Sequence, residues 1–433
     1  MRKVLFVILV CSLIAAAQNN APTTAAKTED KPLTSFPYTP GLDVTSMDKS
    51  ADPCVDFYQY SCGGWMKNNP IPADQPRWSV YGKLYQDNQQ FLWGILDQLS
   101  KQKNGRDADQ QKIGDHFGAC MDEAAVNRLG AKPLQPYLDD IAALKSTKDL
   151  PAVLAKLHLS MDDAPFFGFG SNQDFENSSE VIAFATNGGL ALPDRDYYTK
   201  DDEHSKELRT KYLAHVARMF QLLGDKPEVA KAEADTVMRI ETDLAKPQLT
   251  RVERRDPHNL LHKVNAAGLQ QMTPHFDWAV YIKDMGLPPQ NTFNVTQPAF
   301  YKELDHQLAT LSLDDIKTYL RWQTAHAMAP YLSEAFVNEN FEFYGKTLRG
   351  TPRLRVRWKR CVSLVDAQLG EALGKEFARR AFGPELKQKT LTMTKQIDSY
   401  YLMMLGQRRD MLFPGFGAAG VAASTSCLAI GNS

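Results

Sequence analysis

Apolar side chains recur at helical spacing along most of this chain, and that recurrence constrains its fold more than any other feature. Leu92, Ile95, Leu96 and Leu99 fall at i, i+3, i+4 and i+7, one face of an amphipathic helix. Ile113, Phe117, Cys120 and Met121 repeat the spacing, and Leu208, Tyr212, Val216, Met219, Phe220 and Leu223 repeat it again. Gly224 stands where that last helix should stop, and Pro227 can open another with Ala230, Ala234 and Val237 on one side. A later segment carries Tyr319, Leu320, Trp322, Ala327, Tyr331 and Leu332, with a bend or break expected near Pro330. Strand patterns are fewer. Residues 166–169 and 181–184 read as a hairpin or small sheet. The expected class is mainly α, a large multi-helical lobe with a small β insertion.

Composition adds a boundary. The 433 residues carry 50 basic and 51 acidic side chains, so no basic footprint for nucleic acid or anionic lipid stands out. The N-terminus is more telling. Met1, Arg2 and Lys3 precede an apolar run over residues 4–17 that ends in Ala15, Ala16 and Ala17. This is the pattern of a secretory signal peptide at residues 1–17, and the run is shorter than the roughly 20 residues a membrane-spanning helix needs. No stable membrane span is expected after cleavage, and the product should be periplasmic or extracellular. Residues 18–35, polar and rich in Ala and Thr, read as a flexible leader. Once Cys11 has left with the signal, Cys54, Cys62, Cys120, Cys361 and Cys427 remain as disulfide candidates in an oxidising compartment. Five is odd, so at least one lacks a partner.

The search for chemistry returns decoys. Zinc peptidases place two histidines four apart on a helix, with a glutamate after the first as general base. The nearest approach is His258 and His262, but Asn259 stands where the glutamate is needed and Pro257 marks a helix start. Surface or capping roles suit this pair better than metal ligation, and His204 beside Glu203 reads as solvated. Residues 415–420 match G-x-G-x-x-G, yet too little chain follows for a dinucleotide fold. Asp139–Asp140 and Asp201–Asp202 lie in polar runs, and Asn177 and Asn294 sit in glycosylation sequons. The residues by themselves assign no catalytic group and no metal ligand.

One segment is far more specific. Residues 52–65 (DPCVDFYQYSCGGW), continuing through Ile71 and Pro72 to Arg77, resemble the opening motif of the neprilysin and endothelin-converting-enzyme family. Residues 189–198 (GLALPDRDYY), 335–336 with 343–348 (FYGKTL), and 357–362 (RWKRCV) resemble further motifs of that family in the same order. The likeness runs over residues 36–396. It implies the helical capping lobe of a zinc endopeptidase that cleaves oligopeptides, with H-E-x-x-H expected in a catalytic half beyond it. The segment 397–433 is expected to be an unmatched tail, as a frameshift or premature stop would leave. This chain alone is then expected to be inactive and to hold no zinc, which belongs to the full-length family. Two other readings stay open: a stand-alone peptide-binding module, and a subunit whose catalytic half is a separate chain. By the resemblance Cys120 pairs with Cys361, while Cys54 and Cys62 lose their partners. Arg77 is the position that matches a substrate contact, a guanidinium suited to the carboxylate end of a peptide.

Overall fold

The computed structural model describes residues 30–38, 43–161 and 164–412, with backbone alone for 405–412. The expected signal peptide, most of the leader, residues 415–420 and Cys427 lie outside these residues. In chain order come α1 (Phe57–Asn68), α2 (Val80–Lys101), α3 (Ala108–Met121), α4 (Glu123–Leu129), α5 (Gln135–Ala143) and α6 (Leu150–Ser160). A hairpin follows, β1 (Phe167–Gln173) and β2 (Val181–Asn187), then α7 (Asp196–Thr199), α8 (Glu203–Leu223) and α9 (Pro227–Ala245). Next are β3 (Lys263–Val264), α10 (Ala266–Met272), α11 (Trp278–Asp284) and β4 (Phe293–Val295). The last are α12 (Pro298–Thr310), α13 (Leu313–Met328), α14 (Glu334–Asn340), α15 (Arg357–Ala381) and α16 (Pro384–Leu412). The protein is mainly α, with one small four-stranded sheet among the described residues.

Local chemistry sets many of these boundaries. Asp202 caps α8 by accepting from the Ser205 N–H at 2.9 Å, and Gly224 ends it at φ +108°, where an L side chain would be strained. Pro227 opens α9, and α13 gives way at Ala329–Tyr331 to a tight 3-10 turn around Pro330. The expected hairpin is β1 with β2, antiparallel from Phe167–Asn187 to Gln173–Val181. Strand β4 joins β2 in parallel and β3 in antiparallel register, giving the order β1-β2-β4-β3.

Three apolar cores form among the described residues. The sheet, α6 and α10 to α13 enclose an aromatic cluster in which Phe167 meets Phe276, Trp278 and Tyr281. Helices α8, α9, α13 and α14 enclose Tyr212, Phe220, Val237 and Trp322. Helices α2, α3 and α15 enclose Ile95, Leu99, Phe117 and Val365. Helix α13 serves the first two cores at once, with Ile316 and Tyr319 in one and Trp322 and Ala325 in the other. The end of the expected leader is packed. The Leu33 N–H donates to the Gln90 carbonyl at 3.0 Å, and just beyond it Phe36 stacks on Phe91.

The GLALPDRDYY segment is explained by a buried carboxylate. Glu241 on α9 is fully buried and accepts from the hydroxyls of Tyr198 (2.8 Å) and Tyr212 (2.6 Å). It also accepts from Trp322 Nε1 (3.0 Å) and Gln323 Nε2 (2.9 Å). Tyr198 in turn accepts from the Leu192 N–H at 2.9 Å. Gly189, at φ +73°, lets its carbonyl accept from Tyr319, where an added Cβ would lie 2.5 Å from the phenol oxygen. Asp194 accepts from the Asp196 N–H and pairs with Arg251. The segment is a clasp that folds back over α9 and α13.

Burial drives the Glu241 carboxyl up to about 7, against the pull of the donors around it. The carboxyl keeps its proton in the folded chain at pH values where the unfolded chain has released it. Stability from this group therefore falls as pH rises from about 4.5 to about 7. Glu241→Gln should flatten stability over that window, by on the order of 3 kcal/mol. Glu241→Ala, which strands four donors, should cost about 3–5 kcal/mol at any pH. Urea titrations at a series of pH values check both, and an unchanged pH slope in Glu241→Gln would refute the assignment.

Cys120 at the end of α3 is joined to Cys361 on α15, across a sequence separation of 241. Closing so long a loop is worth roughly 5 kcal/mol in the chain-entropy model. Among the described residues Cys54 and Cys62 are free thiols, the first exposed and the second half-buried. Cys361→Ser should cost about 2–5 kcal/mol and lower the melting temperature, with Cys427→Ser far less harmful. Calorimetry of the two variants decides, and equal melting temperatures would refute it.

Candidate functional site

Arg77 lies in the turn between α1 and α2, and several contacts fix that turn. The Gln75 N–H donates to Pro72 O at 2.9 Å, and the Arg353 N–H reaches across to Ala73 O at 3.0 Å. Lys359, almost wholly buried on α15, pairs with Asp74 at 2.9 Å. Ser79 then caps α2 by accepting from the Gly82 N–H. The turn is thus tied to the α2–α3–α15 unit that the disulfide also braces. Arg77 itself is exposed, and among the described residues it has no hydrogen-bond or ion-pair partner. A free, positioned guanidinium can take a carboxylate through two parallel hydrogen bonds.

Exposed apolar side chains flank Arg77 in the chain. Val80, Tyr81, Leu84 and Tyr85 are all more than half exposed along the first half of α2, with Ile71, Phe57 and Tyr58 nearby in sequence. The second half of the same helix buries Phe91, Ile95, Leu96 and Leu99. One helix therefore keeps its apolar period while losing its covering halfway along. Helix α16 shows the same in stronger form. Leu386, Met393, Ile397, Tyr400 and Met404 fall on one stripe, and the first four are 45%, 54%, 62% and 61% exposed. This stripe crosses Ile397, where the sequence reading places the start of an unmatched tail. Ile397, Tyr400 and Met404 carried the signal that the helix continues, and it runs to Leu412.

The other candidates scatter. His258 is in a 3-10 turn (Pro257–Leu260), exposed, with Nδ1 2.9 Å from Asp256 Oδ1. Leu261 is extended, so His262 does not share a helical face with His258. His262 instead donates its backbone N–H to Asn294 Oδ1 at 2.7 Å. Among the described residues no three His, Cys, Asp or Glu side chains converge as a metal site would require. Asp140 pairs with Lys156 and Asp202 caps a helix, both structural roles. Asn294 is fully buried in β4, whereas Asn177 is exposed between the hairpin strands. Among the described residues, no helix is long and apolar enough to cross a membrane.

Comparison with known proteins agrees with this geometry. The model of peptidase family M13 matches residues 53–411. Endothelin-converting enzyme 1 of mouse is 31% identical over 361 residues, 79% of this chain and 46% of the relative. Human endothelin-converting enzyme 1 gives the same figures, and neprilysin-3 of Drosophila melanogaster is 28% identical over 380 residues. The chain spans about half the length of these relatives. Among solved structures, the inhibitor complex of Mycobacterium tuberculosis zinc metalloprotease Zmp1 aligns with a TM-score of 0.78 at 31% identity. That alignment covers 86% of this chain and 56% of Zmp1. PepO from Lactobacillus rhamnosis shares the fold, with a TM-score of 0.68 at 18% identity. With its helical architecture and the family match over most of its length, the chain belongs to peptidase family M13.

Proposed function

We propose that this chain is the helical, substrate-gating lobe of an exported zinc metalloendopeptidase that acts on oligopeptides, and that catalysis needs a second lobe. The observation that carries the reading is the uncovered apolar face on the first half of α2 and along α16, with Arg77 beside it in the chain. A single exposed apolar residue needs no explanation, but two helices with continuous exposed stripes do. A stand-alone binding module would carry a polar face there, so the observation favours the lobe over the module. Zmp1 is a zinc metalloprotease, and zinc chemistry in this family would come from the second lobe. There the metal would polarise the scissile carbonyl and activate water. This chain's own share is to limit access and, through Arg77, to hold the carboxylate end of a peptide. The Cys120–Cys361 bridge is consistent with an oxidising compartment. Cys54 and Cys62, both accessible, are suited to bonding cysteines of the second lobe.

The purified chain should contain no stoichiometric zinc by atomic absorption and should cleave no fluorogenic peptide. Chelator-sensitive cleavage by the chain alone would refute the division of labour. The apolar face gives an independent check. Leu84→Glu with Ile397→Glu should reduce self-association in sedimentation velocity, with stability changed by less than about 0.5 kcal/mol. A wild-type chain that stays monomeric at high concentration would argue for a covered or polar face and revive the module reading.

A further inference from the structure

A cavity of about 410 Å³ lies between the turn before α2, the π-helical segment Phe341–Thr347 and the start of α15. Four arginines line it, Arg349, Arg353, Arg355 and Arg360, against one carboxylate, Asp74. Asp74 is already engaged by Lys359. Among the described residues none of the four guanidiniums is in an ion pair. Three of them donate to neutral oxygens instead, Arg349 Nε to Tyr344 O at 2.9 Å and Arg360 Nε to Arg355 O at 3.1 Å. Arg355 Nη2 contacts Gln89 Oε1 and Ser363 Oγ, each at 3.1 Å, while its Nε is buried without a partner. The neighbouring Arg357, by contrast, is matched by Glu123 at 3.1 Å.

Like charges gathered around one cavity repel, and Arg355 and Arg360, half-buried where Arg349 and Arg353 are exposed, also give up hydration. Burial, then the Arg357 charge, push Arg360 below its ordinary value, with Glu123 and Glu334 opposing from outside the cavity. Other basic side chains in this part of the fold, Lys359, Arg357 and Lys375, each have a carboxylate. This cluster therefore lacks a negative partner that its geometry is built to take. A second cavity of about 640 Å³ adjoins it, sharing Pro330, Asn340, Tyr344 and Arg349. The second is lined by Leu190, Pro193, Tyr197 and Tyr331 together with the polar His326, Asn340 and Arg349, so apolar and polar groups share its wall. An extended chain could place acidic side chains among the arginines and apolar ones along this wall.

We propose that the four-arginine cavity binds a carboxylate-rich ligand, either an acidic segment of a peptide or a free small polycarboxylate. The choice of carboxylate over phosphate rests on the peptide-handling reading above; the anion site itself does not. Planar guanidiniums suit carboxylates bidentately, and several around one pocket favour more than one negative charge.

The test is isothermal titration of the full chain at about 50 mM salt, where screening is weak. The probes are an end-capped Glu-rich hexapeptide, its Gln counterpart, citrate and inorganic phosphate. The Glu peptide or citrate should bind at least about tenfold tighter than the Gln peptide, and more weakly as salt rises. Arg349→Glu with Arg353→Glu, both at exposed positions, should abolish that preference at unchanged melting temperature, while Lys103→Glu should not. Preference for the Glu peptide over citrate identifies a peptide segment as the ligand, and the reverse identifies a free acid. Equal binding of the Glu and Gln peptides without citrate binding overturns the proposal. So does phosphate binding tighter than both carboxylates, or a double variant that binds as the wild type does. No cleavage is measured, so failure here leaves the second-lobe reading standing, and a catalytically competent chain would leave this one standing.

Discussion

The middle of this protein is held by a carboxylate buried among hydrogen-bond donors. Glu241 receives two tyrosine hydroxyls, an indole N–H and an amide N–H, contributed by α7, α8 and α13 to a side chain of α9. A charge or an acid proton at such a site is tolerable only when its lone pairs are used. That requirement fixes how four helices sit relative to one another, because moving any of them by an ångström leaves a donor stranded. The GLALPDRDYY segment follows from it. Tyr198 must reach Glu241 and still accept from Leu192, so the chain turns sharply at Gly189 and is pinned at Asp194.

The second constraint is the unit of α2, α3 and α15, which the Cys120–Cys361 bond and the Lys359–Asp74 pair close from two sides. Its consequence is positional. Arg77 is an exposed residue in a turn, and such residues ordinarily wander. Here the turn is held at Ala73 by Arg353 and at Asp74 by Lys359, so the guanidinium projects from a fixed base. A long side chain on a fixed base loses less entropy on meeting a carboxylate than one on a mobile loop.

Much of this was legible in the sequence, for a physical reason: burial on one side of a helix leaves a period. The runs at Leu92–Leu99 and Leu208–Leu223 became α2 and α8, and Gly224 and Pro227 marked the junction of α8 and α9 as expected. The pairs that act across space were not legible. Glu241 meets Tyr198, Tyr212, Trp322 and Gln323 at separations of 29 to 82 residues, and no local pattern announces such a cage. Strands β3 and β4 hold two and three residues, too few to show alternation. The leader looks polar as a group, yet Leu33 near its end and Phe36 just beyond it carry a contact with α2. The α16 stripe was missed because, up to Ile397, apolar residues are sparse and the polar ones between them dominate the reading.

The two uncovered features of the surface differ in kind, and the difference bears on what each is for. The face on α2 and α16 is apolar and extended, and it continues helical periods that elsewhere in the chain end in a core. Burying it would be favourable at about 25 cal/mol per Å², whatever the exact sequence of the partner. The arginine cavity is concave and charged, and burying it behind an apolar surface would be costly, because four cations would lose water and gain nothing. A second lobe that covered both would have to change character from apolar to acidic between one and the other. If it covers only the apolar face, the cavity stays open to solvent and to ligands. On the two proposals above, the chemistry of the surface separates a docking face, which needs area, from a binding site, which needs a negative charge.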